Sequence, residues 1–95
     1  MQHTLTADRF EPHIDSQFQI DVDGVMLHVS LAEIERKGGG TREGGSFSLV
    51  FTTANDVHFE QGTYAVSNDA FGDVTLFLVP IGPFADGMGY EAVFT

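Results

Sequence analysis

The chain has no cysteine, which excludes a disulfide framework, a thiolate metal site and a thiol nucleophile and leaves the sequence compatible with a reducing compartment. It also lacks any unbroken apolar run approaching the ~18 residues that a membrane-spanning helix requires. The first residues, MQHTLTADRF, carry no basic patch followed by an apolar stretch, so neither a cleavable signal nor membrane insertion is expected. Synthesis in the cytoplasm is the expectation. Basic residues are the third shortage. Arg9, Arg36, Lys37 and Arg42 face fourteen acidic residues, the net charge is −10, and no lysine or arginine follows Arg42. A surface of that sign repels phosphate, which argues against direct binding of nucleic acid or anionic membrane. The plain reading of the charge is solubility. The sharper ones are a basic partner, a polyanion mimic, or divalent cations on surface carboxylates, and no motif supports any of them.

What the chain does have is alternation. In Ser46 to Thr53, SFSLVFTT, Phe47, Leu49, Phe51 and Thr53 recur at the period of two that marks a half-buried strand with its odd positions inward. Two later runs, DVTLFLVP (Asp73 to Pro80) and MGYEAVFT (Met88 to Thr95), share its aromatic and β-branched character. An antiparallel core follows. Ninety-five residues make one domain, 1–95, that buries roughly 60–65 per cent of its unfolded surface.

Residues 1–15 read as a cap segment. Thr6 is placed to cap a helical turn over Ala7 to Phe10, which Pro12 helps to end, so that Leu5, Phe10 and Ile14 cover one end of the core. In Ser16 to Val22, Phe18, Ile20 and Val22 point inward, and Asp23-Gly24 supplies a type I′ hairpin turn. The next strand, Val25 to Lys37, sets Val25, Leu27, Val29 and Leu31 on one face. Glu33 and Glu35 would inherit that face, whereas Ala32 and Ile34 are the apolar choices. The face must therefore switch, through a bulge near Leu31 to Glu33, which is how a small sheet curls into a barrel. GGGTREGG, Gly38 to Gly45, reads as a flexible loop. Val57 to Phe59 is a short strand or part of a connection, and Thr63 to Ser67 is a strand with Tyr64 and Val66 inward. In Asp73 to Pro80 both faces are apolar, which calls for a closed structure or a covered outer face. Pro83, Phe84 and Gly87 mark a last loop, after which Tyr90, Ala92 and Phe94 fill the core.

The segments F-x-P-H-I at Phe10 to Ile14, SFSLVF, QGTY at Gln61 to Tyr64, LFLVPIG at Leu76 to Gly82 and YEAVF at Tyr90 to Phe94 together resemble DUF6916. This is a family of small bacterial proteins of unknown function encoded beside phage-tail-collar, or microcystin-dependent, proteins. The similarity spans nearly the whole chain and rests mostly on core and turn positions. It implies an accessory role in a fibre-like assembly and brings no catalytic residue.

Candidate chemistry is thin. His3, His13, His28 and His58 lie on separate elements without H-x-H or H-x₃-H spacing, so no shared transition-metal site is expected. DVDG resembles the start of a calcium loop, but glycine stands fourth and Ala32 occupies the twelfth position, so the hairpin turn takes precedence. GGGTREGG lacks the G-K-[ST] ending of a phosphate loop and leads into a strand, which leaves a partner-binding loop tipped by Arg42 as its functional reading. Ser46 and Ser48 lack a nucleophile elbow, and Glu33 and Glu35 read as solvated. No enzyme activity and no cofactor are expected.

Surface remains. Phe71 and Phe84 fall in loops and are candidate partner contacts, against the plainer reading in which they fold back as lids. Phe77, Val79 and Val93 are candidates if they line the outside. The fold expected is an all-β domain of about six antiparallel strands, a small barrel or sandwich with a short N-terminal helical turn. The function expected is a non-catalytic interaction or assembly module, with a protein partner of the tail-collar type or self-association. The alternatives are a module that binds a sugar or peptide through Phe71 and Phe84, and an acidic inhibitor that mimics nucleic acid.

Overall fold

A computed structural model describes residues 6–36, 46–53, 58–84 and 87–94. The chain opens with a single helical turn, α1 (Ala7–Phe10), continued by a 3₁₀ turn over Glu11–His13. Six strands follow: β1 (Gln17–Val22), β2 (Val25–Arg36), β3 (Phe47–Thr52), β4 (Gly62–Asn68), β5 (Gly72–Phe84) and β6 (Gly87–Phe94). They close into a barrel in the order β1-β2-β3-β6-β5-β4, with β4 pairing back to β1 and every neighbour antiparallel. Closure removes the free edges that an open sheet would present, except along the part of β5 and β6 that their mutual register does not reach. β4, β5 and β6 form consecutive hairpins and β3 lies beside β6, so the connection from β3 to β4 crosses one end of the barrel in Greek-key fashion.

Local chemistry explains each reversal. Val22 pairs with Val25 across a two-residue turn in which Asp23 (φ 54°) and Gly24 (φ 86°) are both left-handed, as a type I′ turn requires. The Gly24 amide donates to Asp21 Oδ1 at 2.9 Å. In β2 the register steps from Leu31↔Phe51 to Glu33↔Val50, which leaves Ala32 as the extra residue and puts Ile34 opposite Leu49. The face switches where Glu33 and Glu35 would otherwise have entered the core. At the same place the Asp15 amide donates to the Leu31 carbonyl at 2.7 Å and the Leu31 amide to the Ser16 carbonyl at 3.1 Å, tying the start of β1 across the bulge.

The core is the one that alternation requires. Phe18, Ile20, Val29, Leu31, Phe47, Leu49, Phe51, Val66, Leu76, Leu78, Tyr90 and Ala92 are all buried, with Leu27, Tyr64, Val74 and Phe94 packed partly against them. The two ends are closed by different aromatics. α1 carries Phe10 into the end lined by Phe47, Phe71 and Phe94. At the other end Phe59, from the β3–β4 connection, stacks on Tyr90 at 3.9 Å between ring centroids and meets Tyr64 edge-on.

Two expectations need correction. Ile14 is exposed and does not cover the core, because the chain turns outward after the 3₁₀ turn to meet β2. Val25, read as sharing a face with Leu27, Val29 and Leu31, is exposed because it stands at the hairpin tip, paired with Val22. Pro83 and Phe84 are not in a loop: β5 runs on to Phe84, with Pro83↔Met88 and Phe84↔Gly87 in register with β6. A second bulge between Pro80↔Tyr90 and Gly82↔Gly89, with Gly82 at φ 102°, bends the strand and lets it continue past Pro80. At this bend a side chain on Gly89 would come within 2.9 Å of Phe84 Cβ, so the two strands approach too closely there for anything but glycine.

β3 is buried on both faces. The outward Ser48 and Val50 are only 1% and 7% exposed. By register Ser48 is flanked by Glu35 and Val93, and Val50 by Glu33 and Glu91. The Ser48 hydroxyl has no hydrogen-bond partner among the described residues. A buried, unpartnered hydroxyl carries a desolvation cost of about 1–3 kcal/mol. Ser48→Ala is therefore expected to stabilise the domain by about 1 kcal/mol, read as a higher urea midpoint at unchanged slope.

Candidate functional site

Parity along β5 and β6 decides what reaches the outer wall. Leu76 and Leu78 point inward, so Thr75, Phe77 and Val79 point outward. On β6 the inward Tyr90 and Ala92 leave Glu91 and Val93 outside. Phe77 and Val93 are each 54% exposed. These outward residues do not lie scattered: Thr75, Phe77 and Val79 face Glu91 and Val93 across one groove of about 270 Å³, which the inward Phe94 also lines. The groove also reaches Leu76 and Ala92 of the inner layer.

Strand pairing explains why the wall opens there. The β5–β6 register begins at Val79↔Glu91 and runs toward the Phe84↔Gly87 hairpin. Before that point Thr75 to Leu78 have register partners on β4, and Ala92 to Phe94 have theirs on β3. The two stretches thus face each other without a ladder between them.

Among the described residues, the charged side chains of β3 and β6 and those facing them from β2 on this wall are carboxylates. Residues directly opposite in a sheet share a face, so Glu91 lies beside Val50, with Glu33 on its far side, and Val93 beside Ser48, with Glu35 beyond. Glu33 and Glu35 are exposed, as expected. β3, β4, β5 and β6 contain no lysine or arginine. The described guanidiniums stand at the helical end instead. Arg36 bridges Asp8 at 2.8 Å and Glu11 at 3.4 Å, and Asp8 above all, with Glu11, raises its pKa further. Arg9 lies 4.7 Å over the Phe71 ring.

The other candidates separate from the groove. Phe71 folds back as a lid: it stacks on Phe10 at 4.6 Å and meets His13 and Phe18 edge-on. Its loop is set by Asn68, whose side-chain oxygen accepts from the Ala70 and Phe71 amides while its nitrogen donates to the Gln17 carbonyl. Phe84 is half-buried at the end of β5, at the β5–β6 hairpin. Arg42 and the glycine-rich loop 38–45 lie outside the described residues, as does His3. His13 packs on aromatic rings, and His28 and His58 are exposed on different elements. Among the described residues no three histidine or carboxylate groups converge as a metal site, and no helix is long and apolar enough to cross a membrane.

A second concavity escaped the sequence reading. Val22, Asp23, His58, Phe59, Glu60, Gln61 and Tyr64 line a polar hollow of about 460 Å³ at the end crossed by the β3–β4 connection. Tyr64 donates its hydroxyl to the Glu60 carbonyl. Desolvation, followed by the nearby Asp23 and Glu60 carboxylates, pushes its pKa up. QGTY marks a strand start but gives no hint that the Asp23-Gly24 turn stands beside it; only closure of β4 onto β1 brings them together.

These features define a small closed antiparallel β-barrel whose outer wall carries an apolar groove with Glu91 on its lining. The chain belongs to the family described as "Domain of unknown function (DUF6916)", which matches residues 5–94. No curated protein and no solved structure matches it.

Proposed function

We propose that this domain is a non-catalytic protein-interaction module, an accessory subunit of a collar-fibre or phage-tail-like assembly, and that its contact face is the β5–β6 groove. The observation that carries the reading is the gathering of Phe77, Val79 and Val93 around one concavity, with two of the three more than half exposed. Exposed apolar side chains gathered around a concavity and rimmed by polar groups mark contact sites more often than chance exposure does. The groove, at about 270 Å³, is smaller than the ~300–1,000 Å³ typical of small-molecule sites. It suits an anchoring side chain from a protein.

The test is affinity for the tail-collar protein encoded beside this family. Burial of one large apolar side chain contributes about 1.5–3 kcal/mol, so Phe77→Ala is expected to weaken that complex by roughly 10- to 100-fold. Phe77 is exposed, so the variant should retain its thermal midpoint. An unchanged affinity, or no complex with the wild-type domain at micromolar concentration, removes the assignment. A second reading, a small-ligand module, draws support from the polar hollow around Tyr64 and not from Phe71 or Phe84. Its volume of about 460 Å³ lies within the range of ligand sites. Saturable amide shifts at 58–64 on titration with sugars would favour it.

A further inference from the structure

We infer that the β5–β6 groove receives an extended, basic segment of another protein chain, which sets one large apolar side chain between Phe77 and Val93 and a lysine or arginine against Glu91. This rests on the groove being the contact face and adds the chemistry of the occupant. Three observations select it. The first is the interrupted ladder: Thr75 to Leu78 and Ala92 to Phe94 are strand segments whose register partners lie on β4 and β3, not on each other. Successive strand residues direct their N–H and C=O groups to alternate sides. Thr75 to Leu78 on one side and Ala92 and Val93 on the other therefore turn part of their backbone toward the groove, which is the feature that an added strand pairs with.

The second is charge. Glu91 lines the groove, Glu33 and Glu35 stand on the same wall, and no lysine or arginine occurs on β3 to β6. An acidic segment would set like charge against Glu91 and a neutral one would desolvate it without a partner, whereas a cation flanking the anchor pairs with it. The third is area, which decides against a second copy of this chain. A phenylalanine offers about 150–250 Å² in full, so half-exposed Phe77 and Val93 with part of Val79 fall well short of the ~800 Å² per partner of a stable dimer. Two copies would also bring together walls from chains of net charge −10 each. A slender segment with one anchor fits the space, and a second barrel does not.

The probe is a short synthetic peptide, acetylated and amidated, that displays Lys, Phe, Lys on one face of an extended chain with threonines between them. It is titrated into the isotopically labelled domain while amide shifts are followed. Saturable shifts concentrated on 75–79 and 91–94 are expected. Affinity should fall about tenfold or more when the lysines become glutamates, when the phenylalanine becomes serine, or in about 1 M salt, where the screening length is about 3 Å. Glu91→Gln, nearly isosteric, should weaken the lysine peptide and narrow its advantage over the glutamate peptide, since both the attraction and the repulsion at this position are lost. Four results overturn the inference: no shift at millimolar peptide, shifts centred elsewhere, equal binding of the lysine and glutamate peptides, or concentration-dependent shifts at 75–79 and 91–94 without peptide, which would make the groove a contact between copies. If the peptides fail while Phe77→Ala still releases the collar-type protein, the interaction role stands and only the basic, extended occupant falls. If both fail, the groove is not the contact face.

Discussion

Phe10→Ala is expected to lower the unfolding free energy by about 3–5 kcal/mol, the range for removing a buried phenylalanine from a packed site. For a domain whose total is about 5–15 kcal/mol, that is enough to leave a substantial unfolded fraction at moderate temperature. Phe10 is fully buried and its ring meets Phe71 at 4.6 Å and Phe47 and Phe94 at 6.2 Å each, while Phe47 and Phe94 stack on each other at 4.5 Å. It comes from α1, a helix of four residues, far below the ~12–15 at which an isolated helix becomes marginally stable. α1 has no side-chain cap bond at Thr6, and the Arg36–Asp8 bridge is exposed at both ends and worth little. The ring therefore holds the helical turn, and the turn has little else to hold it. Urea unfolding gives the magnitude. Hydrogen exchange at Arg9, whose amide donates to the Thr6 carbonyl at 3.1 Å, reports whether α1 detaches. Phe10→Leu should cost less than about 1.5 kcal/mol. A loss below about 1 kcal/mol for the alanine variant would mean that the barrel end closes without this plug.

That aromatic plug was readable from sequence only in part. Thr6, Pro12 and the apolar spacing placed a helical turn with Phe10 over the core, and they placed Ile14 there as well. The helical turn has room for one large side chain at the barrel end, and nothing in the local pattern says which. The bulge at Ala32 was legible because Glu33 and Glu35 could not remain on the face of Leu31, a conflict that one extra residue resolves. The second bulge was not, because Pro80, Gly82 and Pro83 are residues that ordinarily end a strand. It takes the register of Gly82 with Gly89 to see that they bend β5 instead. The binding face followed the same division. Parity left Phe77, Val79 and Val93 as candidates for the outside, yet it could not bring positions 77 and 93 to one groove or show that the ladder between them is interrupted. Those are facts of pairing between distant segments, which period alone does not carry. Phe71 and Phe84 stood open between contact residues and lids folded back on the barrel ends, and for Phe71 the lid reading holds. Phe71 completes the stack over Phe10, and Phe84 closes a hairpin.

The opposite end of the barrel gives the second large effect. Tyr90→Phe is expected to cost about 1–3 kcal/mol although it removes a single oxygen atom. The Tyr90 hydroxyl accepts the buried Phe59 amide at 2.8 Å, and Phe59 lies in the β3–β4 connection, where residues 58–60 belong to no strand and have no ladder to fall back on. Without that oxygen the amide is left buried and unpaired, the costly half of a broken hydrogen bond. The ring stacking at 3.9 Å and 8° remains available to phenylalanine, so the change isolates the polar contact from the packing. If the connection opens locally, exchange at the Phe59 amide should rise by about tenfold for each ~1.4 kcal/mol lost. Exchange in the β1–β2 hairpin should change less, because local and global opening are separable. The β5–β6 groove lies on the wall and is lined by neither Phe59 nor Tyr90, so partner affinity should survive the substitution while stability falls. A variant that lost both together would place the connection and the groove in one cooperative unit, and the outer wall would then depend on how the Greek-key crossing is pinned to β6.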